Sequence, residues 1–540
     1  MGGKSSKQKK DEDLKKIGQD ANKSDPASFL SFTPIKVTNE LIVAESSSNL
    51  EKEYKRIKFL GEGSYASVYQ VQNRFTGSIC AMKVIKKKFA SSSTEEKEIR
   101  NEINILRMMD HPNILKLFEF YSNQKEFSIV TELCPLGELF DQIIDKGPFD
   151  EKYSAYILYQ VFSAVNYCHK MHIVHRDLKP ENILIVNKDE NEYPYIKVCD
   201  FGTSKIFDSG FAEKKVVGSS YYIAPEVLNR NYNEKCDIWS CGVIMYILLS
   251  QRPPFGGRDD YEIMETVKTG KYDLTSPPFN TISEQAKDLI KKTLTMDPNK
   301  RITAEEALNH PWFKNNKSKE LFNRVKDQNT IKDFIYNLKR YKRTSVIQET
   351  ALAYLVRHFT QIKDVVNACK LFNQIDHNQD GKITKDELFK GINAIYKSST
   401  LKKDIDDIFK NLDMDNDGYI GYEEFVRGAV NKEYFVQPNV LKFAFRYFDK
   451  DDSGEITFDE IKELFYESVP DKNQVNEVLN AIIKEVDVDN NKKIDFETTR
   501  IITKEYSYDK PKITLNPEII NVDTISLIVS LFNIFLLCGL

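Results

Sequence analysis

Val174-His175-Arg176-Asp177-Leu178-Lys179-Pro180-Glu181-Asn182 is followed by Val198-Cys199-Asp200-Phe201-Gly202 and later by Ala224-Pro225-Glu226. Each short string has its own chance rate, but their joint order and spacing has essentially none. Upstream, Phe59-Leu60-Gly61-Glu62-Gly63-Ser64-Tyr65-Ala66-Ser67-Val68 is a Gly-rich turn between two apolar, β-prone runs. Glycines let backbone N–H groups close over phosphates without Cβ clashes. Ala66 stands where a third glycine is usual. Beyond Val68, Lys83 sits between apolar neighbours on a strand-like run ending at Ile85, placed to neutralise phosphate charge.

Composition sets the frame around these motifs. The chain has 540 residues. At about 150 residues per domain, that suggests several domains or one large domain with smaller modules. Hydrophobic residues are 41% and charged residues 29%, which fits a folded protein better than a disordered or collagenous one. The 77 basic and 81 acidic residues leave a net charge of -4, so nucleic acid is not an expected partner. Eight scattered cysteines without a CxxC pair indicate reduced thiols in a cytosolic compartment, not a disulfide framework or a zinc site.

Residues 54–313 resemble a eukaryotic protein kinase, with every major signature in order. The resemblance implies a β-rich N-lobe, a helical C-lobe and ATP in the cleft between them. It makes Asp177, Lys179 and Lys83 the catalytic residues, with Asp177 accepting the substrate hydroxyl proton. It assigns nucleotide contacts to Leu60, Gly61, Glu62, Gly63, Val68, Lys83, Thr131, Glu132 and Glu138, and pairs Lys83 with Glu102. Asn182 and Asp200 would hold Mg2+. Lys179 and Ser219 suit a Ser/Thr kinase. Glu226 with Arg301, and Asp237 with Trp239, would be structural. Glu138 and Glu181 match acidic peptide-contact positions, which points to substrates basic near the acceptor. Lys215, Val216 and Val217 occupy the stretch where many kinases carry an activating phospho-Thr, so control is expected from elsewhere.

That control is expected in residues 370–500. Asp-rich loops begin at Asp376, Asp413, Asp449 and Asp487, at spacings of 37, 36 and 38 residues. The first three read as EF-hand calcium loops, where hard oxygen ligands wrap a large cation and a glycine makes the sharp turn. Their expected ligands are Asp376, Asn378, Asp380, Lys382 and Glu387; Asp413, Asp415, Asp417, Tyr419 and Glu424; and Asp449, Asp451, Ser453, Glu455 and Glu460. Lys382, Tyr419 and Glu455 contribute backbone carbonyls. Thr384 and Thr457 hold position nine, and Gly421 in the second loop implies a water there. The fourth loop has Lys492 for the glycine and Thr498 for the final glutamate. Weak or no binding is expected there, with the loop kept to pair with the third.

Trp312 to Asp380 contains no Gly and no Pro, which leaves long helices free to form. Ile331, Phe334, Ile335, Leu338 and Tyr341 share one helical face, beside Lys339, Arg340, Lys342 and Arg343. The order of kinase, basic helix and four EF units resembles the calcium-dependent protein kinases of plants and protists over about residues 50–502. The expected fold class is multidomain α+β: a two-lobed kinase followed by an all-α domain of two EF-hand pairs. The expected divisions are 1–50, a basic extension; 54–313, the kinase; 314–362, an autoinhibitory junction; 363–502, the calmodulin-like domain; and 503–540, a tail. The implied cofactors are ATP, Mg2+ and Ca2+, and the implied partners are Ser/Thr protein substrates and the chain's own junction helix. A calcium-responsive scaffold without phosphotransfer is the alternative, as is a constitutive kinase that uses its EF module for localisation.

Met1-Gly2-Gly3-Lys4-Ser5-Ser6 fits the N-myristoylation pattern at Gly2, and Lys4, Lys7, Lys9 and Lys10 add an electrostatic signal. A cytoplasmic, membrane-associated protein is therefore expected. The apolar stretch 524–540 sits at the lower limit for a spanning helix. It reads as a tail anchor, a helix docked on the protein's own groove, or a misplaced gene end.

Overall fold

The computed structural model describes residues 43, 45–46, 50–62, 66–87, 93–188, 193–207, 216–316, 328–342, 346–359, 363–395, 401–414, 416–430, 438–451, 453–468 and 493–495. They divide between two compact units. One takes in the described residues of Thr38–Arg343 and Leu352–Lys432; the other takes in those of Thr344–Ala351 and those from Glu433 onward.

In the larger unit, short helix α1 (Leu50–Glu53) leads into a twisted sheet of β1 (Glu45–Ser46), β2 (Tyr54–Glu62), β3 (Ala66–Asn73), β4 (Ile79–Lys86), β5 (Leu117–Ser122) and β6 (Glu126–Glu132), in the order β1-β5-β6-β4-β3-β2. Strand β4 alternates: Cys80, Met82 and Val84 face one side and meet Val71, Phe118 and Val130 in a small outer core. On the other side Ile85, Phe120, Phe127 and Ile129 pack with Ile103 and Leu106 of helix α2 (Ser93–Met108). Strand β1 was not legible in the sequence. It pairs in parallel with Phe120 and Tyr121, so part of the extension before the kinase motifs completes the sheet.

Below the sheet lie α3 (Leu139–Lys146), α4 (Glu151–Lys170), β7 (Ile173–Val174), β8 (Ile183–Lys188), β9 (Pro194–Val198), β10 (Lys205–Ile206), α5 (Pro225–Leu228), α6 (Lys235–Ser250), α7 (Asp260–Thr269), α8 (Glu284–Thr293), α9 (Ala304–Leu308) and α10 (Pro311–Asn315). Asp150 starts α4 by accepting the Tyr153 N–H. Helix α6 is apolar on nearly all sides, and it is the buried axis of the lobe. Trp239 and Trp312 are both fully buried.

Arg301, 1% exposed, grips Glu226 with both guanidinium nitrogens, one at 2.9 Å. Arg301→Ala would strand a buried carboxylate. The expected loss is about 3–5 kcal/mol of unfolding free energy. Denaturant titration checks this, and a loss below about 1 kcal/mol would contradict it.

The same unit continues through α11 (Gln328–Arg340) and the later part of α12 (Val346–His358) to the first EF pair. The pair comprises α13 (Lys363–Ile375), β11 (Lys382–Ile383), α14 (Lys385–Ile395), α15 (Leu401–Leu412), β12 (Ile420–Gly421) and α16 (Tyr422–Ala429). Its two loops join through the antiparallel partners Lys382↔Gly421 and Ile383↔Ile420.

In the smaller unit, α17 (Pro438–Phe448), β13 (Glu455–Thr457), α18 (Phe458–Ser468) and β14 (Lys493–Asp495) form the second pair. Ile456 opposite Ile494 ties the third loop to the fourth, the partnership expected for the degenerate loop. Among the described residues no helix is long and apolar enough to cross a membrane.

Candidate active site and calcium loops

Lys83 on β4 is brought to Glu102 on α2 at 3.0 Å and lies 3.9 Å from Asp200. Burial pulls its ammonium pKa down, but Glu102 and Asp200 outweigh burial and hold it above the ordinary lysine value. Asp200 shows the converse: burial raises it, and Lys83 with His175 brings it below the usual carboxylate range. Asp200 and Arg176 both adopt left-handed backbone, at φ 62 and 70. Such conformations persist in non-glycine residues only where surrounding contacts over-determine them. Asp237 supplies those contacts at Arg176, accepting the N–H groups of His175 and Arg176 at 2.9 Å each and meeting His169 at 3.0 Å.

The Asp177 carboxylate accepts the Ser219 hydroxyl at 2.9 Å and the Ser219 N–H at 3.0 Å. Lys179 bridges the two, 2.8 Å from Asp177 and 3.0 Å from Ser219. Gly218 makes this approach possible. At φ 109, a Cβ there would sit 2.8 Å from the Arg176 carbonyl oxygen. Asn182 donates its amide N–H to the Asp177 carbonyl at 2.8 Å, which leaves its side-chain oxygen to ligate a cation. With the Asp200 carboxylate, this is an all-oxygen set of the kind Mg2+ takes. Phe201 is fully buried against His175, with ring centroids 4.8 Å apart. Arg176 donates to the Thr203 carbonyl and the Tyr232 hydroxyl.

Leu60, Gly61 and Glu62 end β2, and Val68 on β3 pairs with both Gly61 and Lys83. Thr131 and Glu132 close β6, where the Glu132 carboxylate holds Lys197 at 2.8 Å and accepts the Lys116 N–H. Glu138 stands at the start of α3. Its carboxyl is raised by burial and by Asp141 and Glu181, which makes an acidic corner beside Lys179. Gly63 and Asp415 lie outside the described residues, as do Gly2, Lys215, the fourth-loop residues Asp487, Asp489, Asn491, Lys492 and Thr498, and the stretch 524–540.

The three calcium loops repeat one hydrogen-bond scheme. The first aspartate accepts two successive N–H groups: Asp376 from Asp380 and Gly381, Asp413 from Asp417 and Gly418, Asp449 from Ser453 and Gly454. The final glutamate accepts from positions two and nine: Glu387 from His377 and Thr384, Glu424 from Met414 and Gly421, Glu460 from Lys450 and Thr457. Asn378 donates to Asp380 at 2.8 Å. Lys382, Tyr419 and Glu455 stand at the turn into each short strand or one residue within it. Oxygens of Asp449, Asp451 and Glu460 lie within 4.8 Å of one another. Asp376 is pushed far up by burial and by Asp380 and Glu387. Mutually repelling, partly buried carboxylates on one turn are a donor set that fits a hard cation.

The apolar face of α11 is buried as its periodicity predicted: Ile331, Phe334, Ile335, Leu338 and Tyr341 are each 5% exposed or less. It packs on α13, α15 and α16 of the first EF pair. Leu338 nears Gly428, Asn337 donates to the Ala429 carbonyl at 2.8 Å, and Lys339 pairs with Asp404 at 2.7 Å. In this structure the helix lies on the first EF pair.

Sequence reasoning missed the joint between kinase and EF pair. Glu423, buried on α16, meets Lys116 at 2.9 Å and Arg357 at 2.7 Å, and its N–H donates to Asp110. Arg357 donates to the Leu117 carbonyl, and Tyr354 to Glu119 at 2.9 Å. Burial raises the Glu423 carboxyl, but Lys116 and Arg357 outweigh burial and hold it low. Nothing local marks these residues, since their partners lie elsewhere in the chain.

The model of the protein kinase domain matches residues 54–313, and that of the EF-hand domain pair matches 366–430 and 438–497. Calcium-dependent protein kinase 4 of Plasmodium berghei (strain Anka) is 38% identical over 480 residues, covering 87% of this chain and 90% of the relative. Its Plasmodium falciparum (isolate 3D7) namesake gives the same figures. Calcium-dependent protein kinase 21 of Arabidopsis thaliana is 35% identical over 470 residues, 86% of each. A kinase domain works with ATP and Mg2+, and EF-hands bind Ca2+. The paired lysine and glutamate, the Asp177 cluster, the repeated calcium loops and this similarity along most of the sequence agree: the chain belongs to the calcium-dependent protein kinases.

Proposed function

We propose that this calcium-activated Ser/Thr kinase works through the following residues. Bound ATP supplies the phosphoryl group, and Mg2+ offsets the charge on its oxygens. Asp177 takes the proton of the substrate hydroxyl, and Lys179 and Ser219 fix its carboxylate. Lys83, held by Glu102, steadies phosphate charge. Asn182 and Asp200 offer oxygens to magnesium, while Leu60, Gly61, Glu62, Gly63, Val68, Thr131 and Glu132 surround the nucleotide. Glu138 and Glu181 give the substrate channel an acidic wall, which suits acceptors flanked by basic residues. The scaffold alternative would call for loss of Lys83, Asp177, Asn182 or Asp200, and all four are present.

The regulatory reading rests on one observation: α11 lays its apolar face into an EF pair that shares a compact unit with the kinase. Without calcium, α11 leaves that groove for the C-lobe and obstructs substrate. Calcium in the loops favours the captured position by its differential affinity for the two states. Gly2 acylation beside Lys4, Lys7, Lys9 and Lys10 would hold the enzyme at a membrane surface. The working divisions are those expected above, with the kinase at 54–313, the junction at 314–362 and the calmodulin-like domain at 363–502. Glu387→Gln and Glu460→Gln are expected to move half-maximal activation to higher calcium, each by about tenfold or more, since each removes a charged ligand. Activation curves measured over buffered free calcium check this. Unchanged curves for both variants would refute the assignment of these loops.

A further inference from the structure

Helix α4 carries a stripe that phosphotransfer does not use. Ser163, Asn166, Tyr167 and Lys170 fall at i, i+3, i+4 and i+7, one face of the helix. Against that face lies the first calcium loop, more than 200 residues further along the chain. Asn166, 3% exposed, donates its amide to the Gln379 carbonyl at 3.0 Å and to the Asn378 carbonyl at 3.4 Å. Ser163 donates to the Gln379 side-chain oxygen at 3.3 Å and meets His111 at 3.2 Å. Gln379, 1% exposed and left-handed at φ 52, donates in turn to the carbonyls of Asn373 and Asp376. The Tyr167 ring abuts Gly381 so closely that a Cβ there would lie 2.4 Å from it. The corresponding glycines of the other loops, Gly418 and Gly454, have nothing within 4 Å of such a Cβ.

The kinase therefore hydrogen-bonds the backbone turn that separates Asp376, Asn378 and Asp380. We infer that Asn166 and Ser163 are positioning residues for calcium in the first loop. The inference rests on the reading of those three residues as ligands. The stripe holds residues 378–379 in the ligating turn before the ion arrives, so docking on the kinase raises the loop's affinity for calcium. By linkage, calcium in that loop strengthens docking by the same factor. The second loop lacks this seat among the described residues.

Calcium titration of the full chain against a chromophoric chelator tests this directly. Asn166→Ala is expected to weaken one site by about three- to tenfold, the scale of one or two buried hydrogen bonds. Ser163→Ala should do so by less. Phosphotransfer at saturating calcium should stay within about twofold of wild type in both, which excludes a general folding defect. Glu387→Gln should abolish that site, and adding Asn166→Ala to it should change nothing further. An unchanged titration in both single variants, or a shift that persists beside Glu387→Gln, would overturn the coupling. If Glu387→Gln alone removed no site, the ligand assignment itself would fail, and the coupling with it.

Discussion

Asp177→Asn is expected to lower kcat by about 10²–10⁴, with little change in the KM for ATP. Asparagine is nearly isosteric and can still accept the Ser219 hydrogen bonds, so the loop geometry survives the change. It cannot take a proton from the substrate hydroxyl, and it removes the charge that Lys179 faces at 2.8 Å. A positioned general base contributes on this scale. Steady-state kinetics at saturating calcium, varying ATP and peptide separately, measures the effect. A kcat within about threefold of wild type would remove Asp177 from the chemistry. A proportionate rise in both KM values with kcat intact would make it a binding residue.

Leu338→Ala is expected to have the next largest effect, on regulation. Leu338 is fully buried in the captured helix and lies against Gly428 of the first EF pair. Truncating a buried leucine costs about 2–5 kcal/mol, here subtracted from the captured state. Calcium-stimulated activity should fall by at least tenfold at a calcium level that half-activates the wild type. Tyr336→Ala is the control, because Tyr336 lies on the opposite, exposed face of the same helix. Equal effects from both would show that burial in the EF groove does not govern activation.

The kinase site was legible because its chemistry is written in short strings with fixed spacing. Lys83, Glu102, Asp177, Asn182 and Asp200 each sit in such a string, and the fold brings Lys83 to Glu102 and Asn182 to Asp177. The period of the Asp-rich loops gave the EF units, and helical periodicity gave the buried face of α11. What stayed hidden depends on contacts between distant segments. Lys116, Arg357 and Glu423 look like ordinary surface charges until the fold buries them together. Asn166 and Ser163 sit in a long apolar helix that reads as core, and their polar partners belong to another module. Strand β1 escaped notice because two residues are too few for a period-two pattern.

The most direct test of the central claim is phosphorylation of a basic Ser/Thr peptide by the full chain across buffered free calcium, with Asp177→Asn alongside. The account predicts near-zero activity without calcium, a steep rise as the loops fill, and no comparable rise in the variant. A wild-type rate that is the same at all calcium levels, or a variant indistinguishable from wild type, would contradict it.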